Sequence, residues 1–280
     1  MSAGGTPPLS PQEVRRVLRR LEELTDKGHT VVVGGQAVYF WAYYFSTKQP
    51  TLLHGAPPTS KDLDLCGNRD TVLRAAELLG GEPLLPEIDH VTPNAGIVRF
   101  RDSDGHDRVL DIITAPYGLA KRDLVQGAVR VRYQPPRSQA VHFWVMNPVH
   151  CMQSRVHNVI GLRQRGRHGL RQLRVSIPCA REFLRSLLDQ EEVDLAQRRR
   201  RVMAWNQRIY RFARSDDDAQ ALYRELDIDP FAAVLADDER LSERFRQEGY
   251  RRWKADLDGR RHRAERQRER RAQQSRRRRA

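Results

Sequence analysis

Three consecutive valines, Val31–Val33, run directly into Gly34-Gly35 and then into the aromatic-rich stretch Gln36–Phe45. No other segment constrains the fold as much. A short β-branched run favours a strand, and one that is apolar at every position suits burial on both faces of a sheet. The glycine pair predicts a break, after which Gln36–Phe45 reads as a helix. A strand feeding a helix in this way calls for a layered arrangement with the helix packed on the sheet. It also leaves unpaired backbone N–H groups at a helix start, where an anion is favoured. Alone, a Gly-Gly pair is an ordinary tight turn far more often than a ligand cradle.

The rest of the chain fits around that core. Ser10-Pro11-Gln12-Glu13 supplies an N-cap, a proline for the first helical position and a capping-box glutamate. Val14, Val17, Leu18, Leu21 and Leu24 follow at helical spacing, so a helix is predicted to about Thr25, and Lys27-Gly28 ends it. His29–Val33 is the first predicted strand, and the proline-containing stretch Ser46–Ser60 reads as a loop. Lys61–Cys66 reads as a second strand, and Asn68 or Asp70 caps a helix through Leu79. Ile97–Phe100 and Arg108–Ile113 flank Asp102-Ser103-Asp104-Gly105, a hairpin signature. Ala128–Tyr133 and Val141–Val145 give two more strands, and beyond Pro148 the pattern turns helical, with breaks near Pro178, Ser215 and Pro230. The predicted class is α+β: a mixed sheet with flanking helices, followed by a helical domain. The predicted divisions are a disordered leader at 1–9, an α/β domain at 10–146, a helical domain at 147–256 and a basic disordered tail at 257–280.

Charge sharpens the last division. The net charge is +14, and residues 259–280 hold eleven arginines against two glutamates. That end therefore carries +9 and the body +5. Such an end is either a nucleic-acid arm or a solvated terminus. No run of about 18 apolar residues occurs, which excludes a membrane-spanning helix. The opening MSAGGTPPLSPQE lacks a signal-peptide pattern, and Cys66, Cys151 and Cys179 form no CxxC pair, so a cytoplasmic protein is expected.

The candidate chemistry lies in the acids. Asp62 and Asp64 are two apart on a predicted strand, so their carboxylates project from one face. Like charges so placed repel unless a cation sits between them, and hard oxygen donors suit Mg²⁺. Asp111 stands between Val109-Leu110 and Ile112-Ile113, where an acid is expensive to bury without a partner. Separately, a DxD motif is usually a solvated strand edge, and a lone strand acid is often solvent-facing. Together with Gly34-Gly35 they assemble a phosphate cradle beside three carboxylates, the elements two-metal phosphoryl transfer needs. His142, His150, Cys151 and His157 match no common zinc spacing. GxxxxGK[ST], GxGxxG and GxSxG motifs are absent. The aromatic run Tyr39–Phe45 reads as helix packing rather than a base-stacking platform.

With these residues the chain resembles the DNA-polymerase-beta-like nucleotidyltransferase superfamily. Within it, GGQAVYFWAYYF, TSKDLDL and RVLDIITAP look most like AbiEii-type abortive-infection toxins and their tRNA-modifying relatives. The resemblance covers residues 28–115 well and 146–190 loosely. It implies that Gly34 and Gly35 contact the triphosphate of an NTP. It further implies that Asp62, Asp64 and Asp111 hold Mg²⁺ (or Mn²⁺) as catalytic and metal-binding residues, in a cleft between the two domains. Arg155 stands where the family has lysine and is expected to bind nucleotide phosphate. Two departures accompany it: the Ser46–Ser60 loop looks like an insertion, and the Arg167-His168-Gly169-Leu170 stretch lacks the later acid. The implied partners are an NTP, an RNA acceptor (tRNA foremost) and a cognate antitoxin protein. The alternatives are an inactive scaffold of the same fold that binds nucleic acid or protein, and a small-molecule-modifying transferase.

Overall fold

The computed structural model describes residues 9–26, 30–53, 62–87, 94–134 and 139–279. The expected leader, except Leu9, and residues 54–60 of the expected loop lie outside these. The chain forms two compact units, Met1–Phe183 and Leu184–Ala280.

The first unit is built on a seven-stranded mixed sheet in the order β3-β4-β5-β2-β1-β7-β6. Its strands are β1 (Val31–Val33), β2 (Leu63–Cys66), β3 (Glu82–Leu84), β4 (Asn94–Arg101), β5 (Asp107–Ile113), β6 (Val129–Tyr133) and β7 (Val141–Val145). The valine strand β1 lies between β2, antiparallel to it, and β7, parallel to it. All three valines are buried, as a strand with neighbours on both edges and layers on both faces requires. β2 and β5 run parallel, and β4 and β5 form the expected hairpin. The sequence reading misses β3, which contains Pro83 and pairs with β4 at the end of the sheet order. Proline is tolerated at such an edge, where its missing N–H faces no neighbour.

Helices α1 (Pro11–Arg20), α2 (Glu22–Asp26), α3 (Gly34–Ser46), α4 (Arg69–Leu79), α5 (Lys121–Gly127), α6 (Pro148–Ile160) and α7 (Arg167–Leu188) accompany the sheet. The capping box of Ser10 and Glu13 forms as predicted, and Asn68 rather than Asp70 caps α4. α6 is buried along most of its length, and Trp41 Nε1 on α3 donates to the Met146 carbonyl at 2.8 Å. The first unit runs to Phe183, and Val149, Met152 and Val156 of α6 and Leu173 of α7 are buried in it. Pro178 lies inside α7 instead of ending it. Proline removes one N–H bond, and burial of Cys179, Ala180 and Leu184 beside it holds the helix together.

The second unit contains α8 (Leu195–Ser215), α9 (Asp217–Leu226) and α10 (Tyr250–Arg279). Trp253 stacks on Tyr210 with centroids 4.7 Å apart, Leu257 is buried, and the Arg261 guanidinium pairs with Asp229 and covers the Tyr223 ring. The arginine-rich end, expected to be disordered, is helical through Arg279. Arg, Gln, Glu and Ala all favour helix, and the packed first turns nucleate it. No helix among the described residues is long and apolar enough to cross a membrane.

Candidate active site

The site begins at the end of β1. Gly34 opens α3 with φ +67°, a left-handed conformation that favours glycine. A Cβ built there would lie 1.8 Å from Asp64 Oδ2, so this position also needs glycine for space. Sequence reasoning takes the pair as a break before the helix; in the structure both glycines are its first residues, and both are buried. Asp64 on β2 stands across from Val33 on β1, which brings its carboxylate to the start of α3, where the Gly35 N–H hydrogen-bonds to it.

Asp64 pairs in register with Asp111 on the parallel neighbour β5. Residues in register on adjacent strands present their side chains to one face, so the two carboxylates stand side by side. Burial is the main force pushing the Asp64 carboxyl up to about 6; Asp111 and Asp62 add to it, while Arg155 and the Gly35 N–H oppose it. Burial, with Asp62 second, also raises Asp111. These mutual influences bring all three acids into one neighbourhood.

Asp62 differs from the reading that puts it on a strand beside Asp64. β2 starts at Leu63, and Asp62 is an exposed residue before it. β2 has two strand neighbours, but its pairing begins at Asp64 with β1 and at Leu63 with β5, so Asp62 is not held by the ladder. Among the described residues, the side chains whose ligand-type atoms all come within 4.8 Å of one another are Glu13, Asp102, Asp104 and His106; Asp62, Asp64 and Asp111 are not among them. That second group has the donors for a cation. However, the Arg108 guanidinium already binds Asp102 at 2.7 Å and Glu13 at 3.1 Å, which supplies the positive charge. Among the described residues no cation is recorded at hydrogen-bond distance from the Asp64–Asp111 pair, which gains more from a divalent one.

Arg155 on α6 faces the same region. It is 9% exposed, and burial disfavours its charge while Asp64 and Tyr39 favour it. Its Nη1 donates to Gln172 Oε1 at 2.8 Å, and Asn158, with its amide oxygen turned to the guanidinium, accepts from Nη2 at 2.8 Å. Its buried Nε has no hydrogen-bond partner among the described residues. Gln172 Nε2 in turn reaches Tyr39 Oη at 3.3 Å and His168 Nε2 at 2.8 Å. Burial, then Arg155 and Arg171, keep His168 below the usual histidine range. Sequence reasoning misses Tyr39, Gln172 and His168 as a group, and treats 167–170 only as lacking an acid. Tyr39 and Gln172 are 133 residues apart, and nothing local in the sequence signals a contact at that separation. The one available signal is that Tyr39 lies on the helix Gly34 opens.

His142 pairs with Glu22, and His150 packs at the Asn147 cap of α6. Tyr43 and Tyr44 are exposed, whereas Trp41 and Phe45 are core, so the aromatic run is mainly packing.

No family model matches the chain, and no curated protein matches it. Among solved structures it is similar to an antigenic nucleotidyltransferase-like protein from Paracoccidioides brasiliensis, at 18% identity over 69% of this chain and 94% of that one, with a TM-score of 0.40. At that level the likeness carries no inference about this chain's chemistry.

Proposed function

We propose that the chain is a metal-dependent nucleotidyltransferase that moves a nucleoside monophosphate from an NTP to an acceptor hydroxyl. The observation that carries this reading is the in-register pair Asp64 and Asp111, with Asp64 against the glycine-opened start of α3. The acids are those a cation relieves, and they adjoin backbone N–H groups that suit a phosphate. Asp62, Asp64 and Asp111 would hold Mg²⁺ or Mn²⁺, which supplies neutralisation of the attacking and leaving oxygens when bound.

The chain's own residues do the rest. The glycine-opened start of α3 at Gly34 and Gly35 lets the triphosphate approach, and the guanidinium of Arg155 binds it; the buried Nε, without a partner among the described residues, and the nearby Asp64 support that role for Arg155. Gln172 and Asn158 hold the guanidinium in place. Asp111 orients the acceptor hydroxyl and takes its proton as the oxygen bonds to the α-phosphorus. The bond from that phosphorus to the β-phosphate oxygen breaks, and pyrophosphate leaves with the electron pair. We place RNA, tRNA foremost, as the acceptor, in a toxin–antitoxin setting with a cognate antitoxin protein. The sequence resemblance and the basic α10 support this.

The test is incubation of purified protein with each labelled NTP, Mg²⁺ and total RNA. Label should enter RNA with wild type and not with Asp64→Asn or Asp111→Asn. Equal incorporation by the variants overturns the assignment. The second reading, an inactive scaffold of this fold that binds nucleic acid or protein, draws on the exposed Asp62 standing outside the paired strands. It expects no incorporation by any form of the protein.

A further inference from the structure

Within the second unit the arginines divide into two populations. Arg214, Arg224, Arg240 and Arg261 each hold a carboxylate at 2.7–2.9 Å, from Asp256, Glu225, Asp189 and Asp238, and Asp229 respectively. Arg200, Arg211, Arg251 and Arg252 are exposed with no ion pair recorded among the described residues, and beyond Arg261 such arginines follow one another closely. Arg263, Arg266, Arg268 and Arg270 are exposed and have no carboxylate within 4.0 Å among the described residues. Glu265 and Glu269 are close in sequence but pair with none of them.

Helix geometry explains the separation. Arg263, Arg266 and Arg270 are spaced i, i+3 and i+7, so they share one face of α10. Glu265 and Glu269, one turn apart, lie roughly 110° around the helix at 100° per residue. The acids are therefore turned away from the stripe. Like charges three and four residues apart weaken a helix, so the bare chain keeps this stripe at a cost. Arg268, on the opposite side, opens into a groove of about 490 Å³ that Arg224, Arg260, Glu265 and Glu269 also line, so acids share that face. The unneutralised cations of the helix are those of the stripe, spread over about two turns.

We infer that α10 of the second unit binds the phosphodiester backbone of a nucleic acid through the stripe of Arg263, Arg266 and Arg270. Guanidinium groups bind phosphate bidentately, and a regularly charged strand matches a regular stripe better than isolated carboxylates do. Guanidinium contacts of this kind go to phosphate, so the proposed contact is to the backbone and independent of sequence. This names the acceptor class for the proposed transfer reaction and rests on that reading only for what the bound strand is used for. Binding itself needs neither NTP nor metal.

The full-length chain is titrated into a labelled 20-nucleotide single-stranded RNA, and into DNA of the same sequence, at several salt concentrations in EDTA. The triple variant Arg263→Gln/Arg266→Gln/Arg270→Gln is compared with a charge-matched control, Lys48→Gln/Arg69→Gln/Arg101→Gln, which removes exposed cations of the first unit. Circular dichroism confirms that both variants fold. With about 0.7 counterions released per phosphate on a single strand, the three stripe contacts contribute about −2 to the salt slope, and the stripe variant should lose that contribution. That corresponds to roughly 100-fold weaker binding at 0.1 M salt, with the control close to wild type. The RNA and DNA arms show which backbone is preferred, and tight binding of either supports the inference. Slope and affinity that fall equally in both variants overturn it. So does a poly-glutamate peptide of equal charge that competes as well as RNA. Asp64→Asn should bind like wild type, so failure of transfer and failure of binding are read separately.

Discussion

Replacing Asp64 with asparagine should make the metal-free protein more stable at neutral pH, although it removes a residue we place in the active site. Burial and the neighbouring Asp111 and Asp62 raise this carboxyl from 3.8 to about 6, with Arg155 and the Gly35 N–H only partly offsetting them. At 1.36 kcal/mol per pH unit, that rise means the folded chain carries an ionised Asp64 at a cost of about 3 kcal/mol above pH 7. The sign follows from the raised value. The folded state holds the proton more tightly than the unfolded state, so stability is greatest below 3.8 and is lost as pH rises through about 6. Asparagine resembles the neutral acid and keeps the oxygen that accepts from Gly35. The gain should stay below about 3 kcal/mol, because Arg155 loses an opposing charge. Urea denaturation in EDTA at pH 8 and pH 4 measures this directly. The variant should be more stable by about 1–3 kcal/mol at pH 8, with the difference closing towards pH 4. Millimolar Mg²⁺ at pH 8 should stabilise wild type and leave the variant unmoved. A variant less stable at pH 8, or a gain that persists undiminished at pH 4, would refute the electrostatic account of the site.

Other consequences are as direct. Gly34→Ala forces a side chain into Asp64 at a left-handed backbone position, so it should cost roughly 2 kcal/mol or more in denaturation midpoints and weaken NTP binding measured by calorimetry. Arg108→Met strands the Glu13 and Asp102 carboxylates in a buried site and should cost about 3–5 kcal/mol at pH 7. Although burial pushes Asp102 up, the His106 N–H and Arg108 bonds hold it well below the usual carboxylate range. Its contribution is therefore present above about pH 4 and lost at lower pH, so wild type and Arg108→Met should converge in acid. Ending the chain after His262 should leave the thermal midpoint within about 2 °C. Ending it after Arg252 removes Trp253 and Leu257 and should lower stability by roughly 3 kcal/mol, measured by urea melts.

The sequence by itself determined the strand–glycine–helix core, the β4–β5 hairpin, the mixed sheet with flanking helices and the three acids worth testing. Those features are local: β-branched runs, glycines, a capping box and i, i+2 spacing reveal themselves within a few residues. Tertiary structure alone decided which acids stand together. Asp64 meets Asp111 because β2 and β5 are parallel neighbours in register, a pairing that no local pattern specifies. Asp62 falls before that ladder for the same reason. Where the first unit ends was likewise hidden, since only packing shows that α6 and most of α7 belong with the sheet. The cluster of Arg155, Gln172, Tyr39 and His168 joins three helices, with contacts up to 133 residues apart. Pro178 shows the limit of local signals most clearly. Sequence marks it as a break, yet buried apolar neighbours outweigh one missing hydrogen bond, and that burial is a property of the folded chain.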